Sequence, residues 1–443
     1  MERGNFGSKI GAVLASAGSA VGLGNIWRFP TECGSNGGAA FILIYLLCIL
    51  LLAMPVMIAE FVIGRASRSN TVGSYRVLAP GKPWVGSGFL GVLAGFLVLS
   101  YYSVVAGWTL DYTFESLTGG LMTSDNFGTM FNDFVSSPWR PVIFLSVFLL
   151  LTHIVVAAGI EKGIERCSKI MMPMLLLIIF ILMGFSLNMP NAAEGIQFML
   201  KPDFSKVTKD VVLSAMGQAF FTLSVGMGTL ATYASYFKKE TKLIPSALGV
   251  CTIDTIVAIS AGFIIFPAVF SVGVSANSGP GLVFITLPYV FQKAFGDLPV
   301  LEYIFSGLFY ILLLLAALTS SISMHEISTA YIHETFKLTR QKAATIVTIV
   351  CLLLGIVCSL SFGIWKHITV AGMGFFDLFD FITAKFLMPL GGLLICTFVG
   401  WDMNKKMVAN ELNSRFTPLL MLLFSWVAPI GIGIIFVYGL ISK

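Results

Sequence analysis

The sequence contains few charged residues and no clustered cysteines. Only 11% of its 443 residues are Asp, Glu, Lys or Arg, less than half of the roughly 25% found in soluble domains. So little charge cannot keep a chain of this length dissolved in water, which excludes a soluble enzyme, a nucleic-acid-binding protein and a disordered chain. The seven cysteines occur singly, without CxxC or metal-ligand spacing, so we interpret them as small buried apolar residues rather than as disulfides.

Long apolar segments take the place of the missing charge, and 57% of the residues are hydrophobic. A helix needs roughly 20 apolar residues to cross the hydrocarbon core of a bilayer. We therefore predict an all-α polytopic membrane protein with eleven transmembrane helices. The candidate spans are 10–30, 39–63, 88–113, 140–160, 169–189, 211–236, 244–272, 300–332, 343–363, 375–400 and 417–441. Residues 275–298 are half apolar and predict an outer hairpin that folds back onto the protein.

The distribution of Lys and Arg predicts the orientation in the membrane. With a cytoplasmic N-terminus, the inside segments hold 18 of the 27 basic residues, which is the bias that cytoplasmic loops of membrane proteins show. Eleven spans then place the C-terminus outside the cell.

Two spans are interrupted by glycine near their middle. Span 1 contains GSAVGLGN at 18–25, and span 6 contains FTLSVGMGT at 221–229. Glycine costs about 1 kcal/mol relative to alanine inside a helix, and non-helical backbone at membrane depth occurs only where it lines a cavity. Gly18 and Gly22 also fit a GxxxG packing face. The two breaks hold corresponding places in two five-span units, however, and such a pair indicates the binding site of a transporter.

The stretch GSAVGLGNIWRFP at 18–30 resembles the first-helix signature of the neurotransmitter:sodium symporters. The similarity covers nearly the whole chain and includes NGGAAF at 36–41, PVMIAEFVIGR at 55–65, GQAFFTLSVGMG at 217–228, TYASY at 232–236 and LTSSIS at 318–323. Eleven rather than twelve spans resemble a bacterial member of the family, of the kind that carries hydrophobic and aromatic amino acids.

This resemblance implies the fold of the leucine transporter (LeuT), a 5+5 inverted repeat with discontinuous helices 1 and 6. The repeats would be 1–209 and 210–400, with a peripheral eleventh helix in 401–443. It implies sodium-coupled symport of neutral hydrophobic L-amino acids into the cell by alternating access, with two sodium ions and no enzymatic activity. The protein would lie in the plasma membrane, bind an amino-acid substrate and need no oligomer.

The resemblance also implies the ligands of two sodium sites. The first would use the Ala20 carbonyl and the side chains of Asn25, Thr222 and Asp254, together with the substrate carboxylate. The second would use the carbonyls of Gly18, Val21 and Ala316 and the hydroxyls of Thr319 and Ser320. Read alone, these two hydroxyls would bond back into their own helix.

The amino acid would bind between the two breaks. Its carboxylate would meet the backbone near Gly22 and Gly24 and the Tyr102 hydroxyl, and its ammonium would meet carbonyls of span 6. The implied substrate-binding residues are Ala20, Gly22, Gly24, Val98, Tyr102, Phe221, Thr222, Ser224, Met227, Ser323 and Met324. The side-chain wall is apolar and contains two flexible thioethers, so we expect neutral hydrophobic substrates; the alternative reading of both methionines is ordinary core.

Ionisable residues inside spans are functional candidates. Arg28 and Asp380 would form an outer gate pair above Tyr102 and Phe221. Arg3 and Glu334 would form an inner pair near Ser235 and Tyr236. Each pair would form only while its side of the site is closed; the alternative is a static structural pair.

Buried polar side chains would also support the breaks and set the ion dependence. Glu60 and Gln218 are expected to satisfy the broken backbone of spans 1 and 6. Asp254 departs from the Asn that is common in the family, and the resemblance implies that Ala258 stands where a chloride-independent relative carries Glu. Our hypothesis is that Asp254 supplies the missing negative charge, so that transport needs no chloride.

Three other readings remain as alternatives. A proton-coupled amino-acid permease of the same architecture could use His153, His325 and Glu326 as a proton relay, although single histidines near helix ends are more often structural. A channel would need a repeated pore-loop motif, and a membrane enzyme would need a motif such as GxSxG, HExxH or a P-loop; the sequence has none of these.

Overall fold

A computed structural model of the chain describes residues 4–124, 126–272, 281–295 and 298–441. These residues form helices and no β-strand, apart from one isolated bridge between Val370 and Met373. The predicted all-α fold class is therefore confirmed. The helices are α1 (Lys9–Ala20), α2 (Gly24–Ser35), α3 (Ala39–Ser67), α4 (Thr71–Leu78), α5 (Val85–Thr118), α6 (Phe127–Ser136), α7 (Arg140–Ala157), α8 (Ile160–Leu187), α9 (Ala192–Leu200), α10 (Lys209–Thr222), α11 (Thr229–Ala234), α12 (Leu243–Val272), α13 (Leu282–Phe295), α14 (Pro299–Thr335), α15 (Arg340–Leu360), α16 (Phe375–Asp402), α17 (Lys405–Leu412) and α18 (Thr417–Tyr438).

Most of the predicted spans correspond to single long helices. Within the described residues, nine helices are long and apolar enough to cross a membrane, and the bent pair α1–α2 makes a tenth. The predicted span 211–236 falls on α10 and α11, which have 14 and 6 residues and are too short to qualify alone. We call the side of the molecule where α1 begins the inner side, and the side where α2 ends the outer side.

The faces of the peripheral helices are apolar and exposed, as a lipid-facing surface requires. On α7, the residues Ile143, Val147, Leu150 and Ile154 are all exposed, and their spacing of three and four residues places them on one face of the helix. An apolar stripe of this kind would aggregate in water, whereas it is the expected surface in a bilayer.

The first predicted break is present between α1 and α2. The helix ends at Ala20, Val21 is extended at φ −70° and ψ 112°, and the axes of α1 and α2 differ by 53°. A Cβ on Gly22 would lie 2.4 Å from the Ser320 hydroxyl. The chain therefore needs glycine here for close approach to α14.

The second predicted break separates α10 from α11. Ser224, Gly226 and Gly228 have φ values of 51°, 93° and 76°, which lie in the left-handed region that favours glycine. Residues 223–228 are accordingly non-helical. Both interrupted spans were thus predicted correctly.

Two buried polar side chains stabilise the breaks, as the sequence predicted. The Glu60 carboxylate accepts hydrogen bonds from the backbone N–H groups of Gly226 at 2.8 Å and of Leu230 and Ala231 at 3.1 Å. These donors have no partner within their own helix because α11 is only starting there. The Gln218 amide donates to the Gly24 carbonyl at 3.1 Å, which links the two interrupted spans.

The outer hairpin predicted at 275–298 is described only over residues 281–295 and 298, which include α13. Residues 275–280 and 296–297 lie outside the described residues. The α13 segment folds back onto the protein: the Tyr310 hydroxyl donates to the Val283 carbonyl at 2.9 Å, and the Phe284 ring contacts the rings of Trp108 and Phe131. This part of the hairpin prediction is confirmed.

Candidate functional site

Three buried polar side chains meet where the unwound stretches face each other. Asn25 lies at the start of α2, Thr222 ends α10, and Asp254 lies within α12; none is more than 1% exposed. The Asn25 amide nitrogen lies 2.7 Å from an Asp254 carboxylate oxygen and 2.9 Å from the Thr222 hydroxyl. The Thr222 hydroxyl donates to Asp254 at 3.1 Å. The structure thus brings together the side chains expected at the first sodium site.

The environment of Asp254 can hold a cation. The carboxylate makes no ion pair with a basic side chain in the described part of the chain, and an unpaired buried charge is costly. Its hydrogen bonds from Thr222 and Tyr45, the latter at 3.4 Å, offset part of this cost. The Asn25 side-chain oxygen accepts from the Gly22 N–H at 2.9 Å. The Asp254 carboxylate, the Thr222 hydroxyl and the Asn25 side-chain oxygen together offer the oxygen donors that suit Na⁺.

The residues expected at the second sodium site also converge. The Thr319 hydroxyl lies 3.2 Å from the Val21 carbonyl oxygen and 3.0 Å from that of Ala316. The Ser320 hydroxyl lies 3.0 Å from the Val21 carbonyl oxygen and 3.5 Å from that of Gly18. Two hydroxyls of the continuous helix α14 therefore face carbonyls that are free because α1 ends there. These hydroxyls are not bonded only within their own helix.

These donors are oxygens of side chains and backbone rather than sulfur or imidazole. Within the described residues, no group of three or more His, Cys, Asp or Glu side chains could hold a metal ion. A site for zinc or another transition metal would need such a group. The two oxygen sets instead suit a hard cation that travels with the substrate.

A small cavity of about 20 Å³ lies between the two breaks, next to Asn25 and Asp254. Ten of the eleven residues expected to bind substrate line it. The complete lining is Ala20, Gly22, Leu23, Gly24, Val98, Tyr102, Phe221, Thr222, Ser224, Met227, Ser320, Met324 and Met388. Its wall is apolar apart from hydroxyls and backbone, as the sequence predicted.

Ser323 is the one expected substrate residue that does not line this cavity. Its hydroxyl accepts from the Ser19 hydroxyl at 2.9 Å and donates to the Ser320 carbonyl at 2.7 Å. It therefore binds α14 to α1 behind the cavity wall. The Tyr102 hydroxyl does face the break and accepts from the Leu23 N–H at 3.3 Å.

Leu23, Ser320 and Met388 line the cavity but were not predicted as substrate residues. Leu23 lies between Gly22 and Gly24, so its backbone follows directly from the predicted break. Met388 lies two helical turns after Asp380 on α16, and this helical spacing was the signal that could have found it.

On the outer side, the predicted pair of Arg28 and Asp380 is not formed in this structure. The Arg28 guanidinium instead lies 3.8 Å from the Glu32 carboxylate on the same helix and 4.3 Å from the centre of the Phe221 ring. Glu32 has a second function, because its other oxygen accepts from the Ser214 hydroxyl of α10 at 2.6 Å. Arg28 is therefore held on the α2–α10 side of the site.

A cleft of about 330 Å³ opens beside these residues, with α2, α10, α16 and α18 as its walls. We call it the outer cleft. It is lined by Arg28, Glu32, Asp210, Leu213, Ser214, Gly217, Phe220, Phe221, Ala384, Lys385, Met388, Pro389, Ile432, Ile435 and Tyr438. Its lining combines charged and polar side chains with apolar ones.

On the inner side, a buried ion pair joins α14 to α15. The Glu326 carboxylate on α14 is fully buried, accepts from the Tyr236 hydroxyl at 2.6 Å and pairs with Arg340 at the start of α15. Glu326 was predicted only as part of a possible proton relay, and Arg340 only as a cytoplasmic charge. Their partnership bridges two helices and gave no local sequence signal.

The predicted inner pair is described in part. Arg3 lies outside the described residues. Glu334 accepts from the backbone and side-chain N–H groups of Asn70 at 3.0 Å and 2.8 Å. The segment following Arg3 is anchored on the inner side, because the Phe6 ring is buried against Tyr233 and Tyr236. A cleft of about 730 Å³ lies beside this segment and is lined in part by Tyr236, Glu334 and Arg340.

The start of α1 is held from α8. The Glu165 carboxylate accepts from the Gly7 N–H, and from the Ser8 N–H at 3.1 Å and hydroxyl at 2.9 Å. A Cβ on Gly11 would lie 2.1 Å from a Glu165 oxygen, so glycine is required for this approach. The inner end of span 1 is therefore fastened to α8.

The two histidines of the predicted proton relay form a separate hydrogen-bonded group. His153 Nδ1 and His325 Nε2 lie 3.0 Å and 2.9 Å from the Thr348 hydroxyl, which itself donates to the Ala344 carbonyl at 2.9 Å. His325 Nδ1 lies 2.9 Å from the Thr329 hydroxyl. Neither histidine lines the central cavity, so this group packs α7, α14 and α15 together.

Comparison with known proteins gives the same fold and a family. The chain matches the family model described as "Sodium:neurotransmitter symporter family" over residues 3–138 and 131–443. Among solved structures it is similar to the crystal structure of MhsT in complex with L-phenylalanine. The identity is 44%, the TM-score is 0.92, and the match covers 99% of this chain and 100% of that one.

Relatives of known sequence are similar over almost their whole length. The chain is 40% identical over 439 residues to the sodium-dependent transporter YhdH of Bacillus subtilis (strain 168), covering 97% of this chain and 96% of that one. It is 26% identical over 502 residues to the sodium- and chloride-dependent GABA transporter 2 of Homo sapiens, covering 100% of this chain and 81% of that one.

Proposed function

Because the chain belongs to the sodium:neurotransmitter symporter family and is a sodium-dependent membrane transporter rather than an enzyme, we propose that it carries neutral hydrophobic L-amino acids, aliphatic and aromatic, into the cell. The observation that carries this proposal is the cavity between the two facing breaks, with an oxygen set on either side. Free backbone amides and carbonyls in such breaks bind the charged ends of a zwitterion.

The cavity wall supports the choice of substrate. Val98, Met227 and Met324 offer apolar contacts, and no acidic or basic side chain lines the cavity. A charged substrate side chain would lose its hydration without gaining a partner. The similar protein MhsT was crystallised with L-phenylalanine, which supports an aromatic amino acid as one of the substrates.

Two sodium ions would accompany each amino acid, one for each oxygen set. The first ion would bind Asn25, Thr222, Asp254 and the Ala20 carbonyl, close to the substrate carboxylate. The second would bind the hydroxyls and carbonyls that meet between α1 and α14. Each cation that moves through the membrane field contributes about 2.3 kcal/mol per 100 mV, so two ions give a strong driving force for uptake.

Asp254 would make this transport independent of chloride. Its carboxylate stands at the first oxygen set and accepts from both Thr222 and Tyr45. The negative charge that balances sodium is therefore supplied by the protein itself. The human relative named as sodium- and chloride-dependent is the more distant one, at 26% identity.

Alternating access would follow from the different contacts on the two sides. The inner side is held together by Glu326, Arg340, Tyr236 and the fastened start of α1, although a cleft reaches Tyr236 and Arg340 there. The outer pair of Arg28 and Asp380 is unformed, and a cleft lies on that side. Closing the outer pair and releasing the inner contacts would turn the site to the cytoplasm.

We propose that the two halves of the chain that move relative to each other are inverted repeats. Residues 1–209 would form one five-helix repeat and 210–400 its inverted counterpart, with 401–443 at the periphery. The N-terminus would be cytoplasmic and the C-terminus extracellular, in the plasma membrane, because basic residues concentrate in the inner segments. A single chain contains both breaks, so transport would need no oligomer.

Uptake by the purified protein in proteoliposomes tests the proposal. A panel of labelled Leu, Phe, Gly, Glu and Lys is supplied with an inward sodium gradient, with chloride present or replaced by gluconate. We expect uptake of Leu and Phe in both media and none without sodium. Preferential uptake of Gly, Glu or Lys contradicts the substrate proposal, and uptake driven by a pH gradient without sodium supports the proton-coupled alternative.

An Asp254→Asn variant tests the role of the carboxylate, with Asp203→Asn in an exposed loop as the matched control. We expect Asp254→Asn to lose chloride-free uptake while the control keeps it. Chloride independence would be contradicted if chloride stimulated uptake by the unsubstituted protein and the Asp254→Asn substitution left this uptake unchanged.

A further inference from the structure

Two residues border both the central cavity and the outer cleft. Of the residues that line these two spaces in the described part of the chain, only Phe221 and Met388 belong to both. Phe221 lies in the last turn of α10, just before the second break. Met388 lies on α16. These two residues therefore separate the two spaces where they come closest.

The backbone of Met388 is fixed against the unwound part of span 6. A Cβ on Gly226 would lie 2.3 Å from the Met388 carbonyl oxygen, and a Cβ on Gly391 would lie 1.9 Å from the Gly226 carbonyl oxygen. Two backbones thus touch without intervening side chains. A shift of the break on substrate binding would therefore move the backbone of Met388, because no side chain lies between the two backbones to absorb the shift.

The side chain of Met388, in contrast, is intrinsically flexible although it is buried. It is 4% exposed, and a thioether on three rotatable bonds adapts to irregular space. On the cleft side its neighbours include Phe220, Pro389 and Ile432. This apolar lining can receive the thioether without the cost of burying it against charge.

We propose that Met388 is a specificity-determining residue, acting with Phe221 as an adjustable lid over the pocket for the substrate side chain. A small amino acid leaves the thioether over the cavity, where it fills the remaining space. A bulky aromatic amino acid displaces it towards the outer cleft. This inference rests on the proposed amino-acid transport and names how one site accepts side chains of different size.

The alternative role of Met388 is ordinary packing between α10 and α16. The two roles predict different patterns. A packing residue affects all substrates equally when it is changed, because it acts on folding or on the geometry of the whole site. A lid that fills space changes the ratio of kcat/KM between small and large substrates.

Uptake kinetics for L-valine, L-leucine, L-phenylalanine and L-tryptophan distinguish these roles. For Met388→Ala we expect kcat/KM for L-valine to fall about tenfold, since one to three methylenes of lost contact give changes of this order, and kcat/KM for L-tryptophan to stay within about twofold. Met388→Leu should keep the original ranking because it conserves volume. Ile434→Ala, on the same helix as the cleft wall but exposed and outside the lining of both spaces, is the control and should leave the ranking unchanged.

A second measurement needs no kinetic comparison between variants. The thiol of Met388→Cys is treated from outside with a membrane-impermeant methanethiosulfonate, with the unsubstituted protein as the background for its native cysteines. We expect faster labelling with L-tryptophan bound than with L-valine bound, because the large substrate turns the side chain towards the cleft.

A uniform change of kcat/KM for all four amino acids, together with equal labelling rates, overturns the lid and leaves the proposed function standing. Failure of the unsubstituted protein to take up any amino acid with sodium overturns the proposed function, and this inference with it. If Met388→Ala does not fold, the labelling comparison on Met388→Cys decides alone.

Discussion

Glu60 offers a sharp test of how the break in span 6 is stabilised. Its buried carboxylate accepts three backbone hydrogen bonds, one from Gly226 and two from the start of α11. In Glu60→Gln, the single amide oxygen can retain the two bonds to Leu230 and Ala231. The amide NH₂ group then faces the Gly226 N–H, so that a buried donor loses its partner.

The structure gives the size of the effect. An orphaned buried donor costs about 1–3 kcal/mol, and replacing a charged acceptor by a neutral one weakens each remaining hydrogen bond by about 1 kcal/mol. The total is about 3–5 kcal/mol, and 1.4 kcal/mol corresponds to about tenfold in an equilibrium constant. If the break must keep its shape to bind substrate, the affinity of Glu60→Gln should fall by about a hundredfold or more.

The assay is equilibrium binding of labelled L-phenylalanine to the purified variant in sodium, with thermal unfolding followed in parallel. Glu194→Gln is the matched control, since Glu194 is exposed on α9 and such surface changes stay within about 0.5 kcal/mol. Binding by Glu60→Gln within about threefold of the unsubstituted protein would refute the reasoning, because the three hydrogen bonds would then contribute nothing to the site.

Two further predictions concern the second oxygen set and the outer gate. Ser320→Ala removes one hydroxyl ligand and should raise the sodium concentration for half-maximal uptake about tenfold, or about 1.4 kcal/mol. The control is Ser328→Ala, which removes a buried hydroxyl that has no hydrogen-bond partner among the described residues and should leave this sodium concentration unchanged. Equal effects of the two substitutions would contradict the assignment of Ser320 to the second sodium site. Glu32→Gln removes the present partner of Arg28 and should favour its pairing with Asp380. We expect the substrate concentration for half-maximal uptake to fall by about two- to fivefold, the range for partly exposed ion pairs, and a rise would show that Glu32 does not compete with Asp380.

The breaks could be predicted from the sequence because their signals are local. Glycines two residues apart in an apolar span, beside hydroxyl and amide groups, are costly in a continuous helix. The structure shows left-handed backbone at Ser224, Gly226 and Gly228 and an extended Val21. A broken helix needs buried hydrogen-bond acceptors, and Glu60 is the one acidic residue in the predicted span 39–63, so its role could also be predicted.

The partners of long side chains could not be predicted in the same way. Arg28 has Glu32 four residues further along its helix and Asp380 on a distant helix, and both pairings are chemically sound. Which one forms depends on whether the outer side is open, and the sequence encodes both states. The pair of Glu326 and Arg340 depends on how α14 and α15 approach each other, and this has no local pattern.

Residues whose role depends on how they fit against neighbouring helices were the hardest to identify from the sequence. Met388 is one apolar residue in a largely apolar helix, and its place between two spaces follows from the contact of α16 with Gly226. Gly11 is similar, since its lack of a side chain matters only because Glu165 passes close to it. Such roles come from the tertiary arrangement and appear only when the neighbouring helices are in place.

The central claim is that the two unwound stretches together bind an amino acid and sodium. Equilibrium binding of labelled L-phenylalanine to the purified protein, across a sodium titration in gluconate buffer with potassium keeping the ionic strength constant, measures this most directly. The account predicts saturable binding that rises cooperatively with sodium and is absent in potassium alone. Equal binding in potassium and in sodium would contradict it.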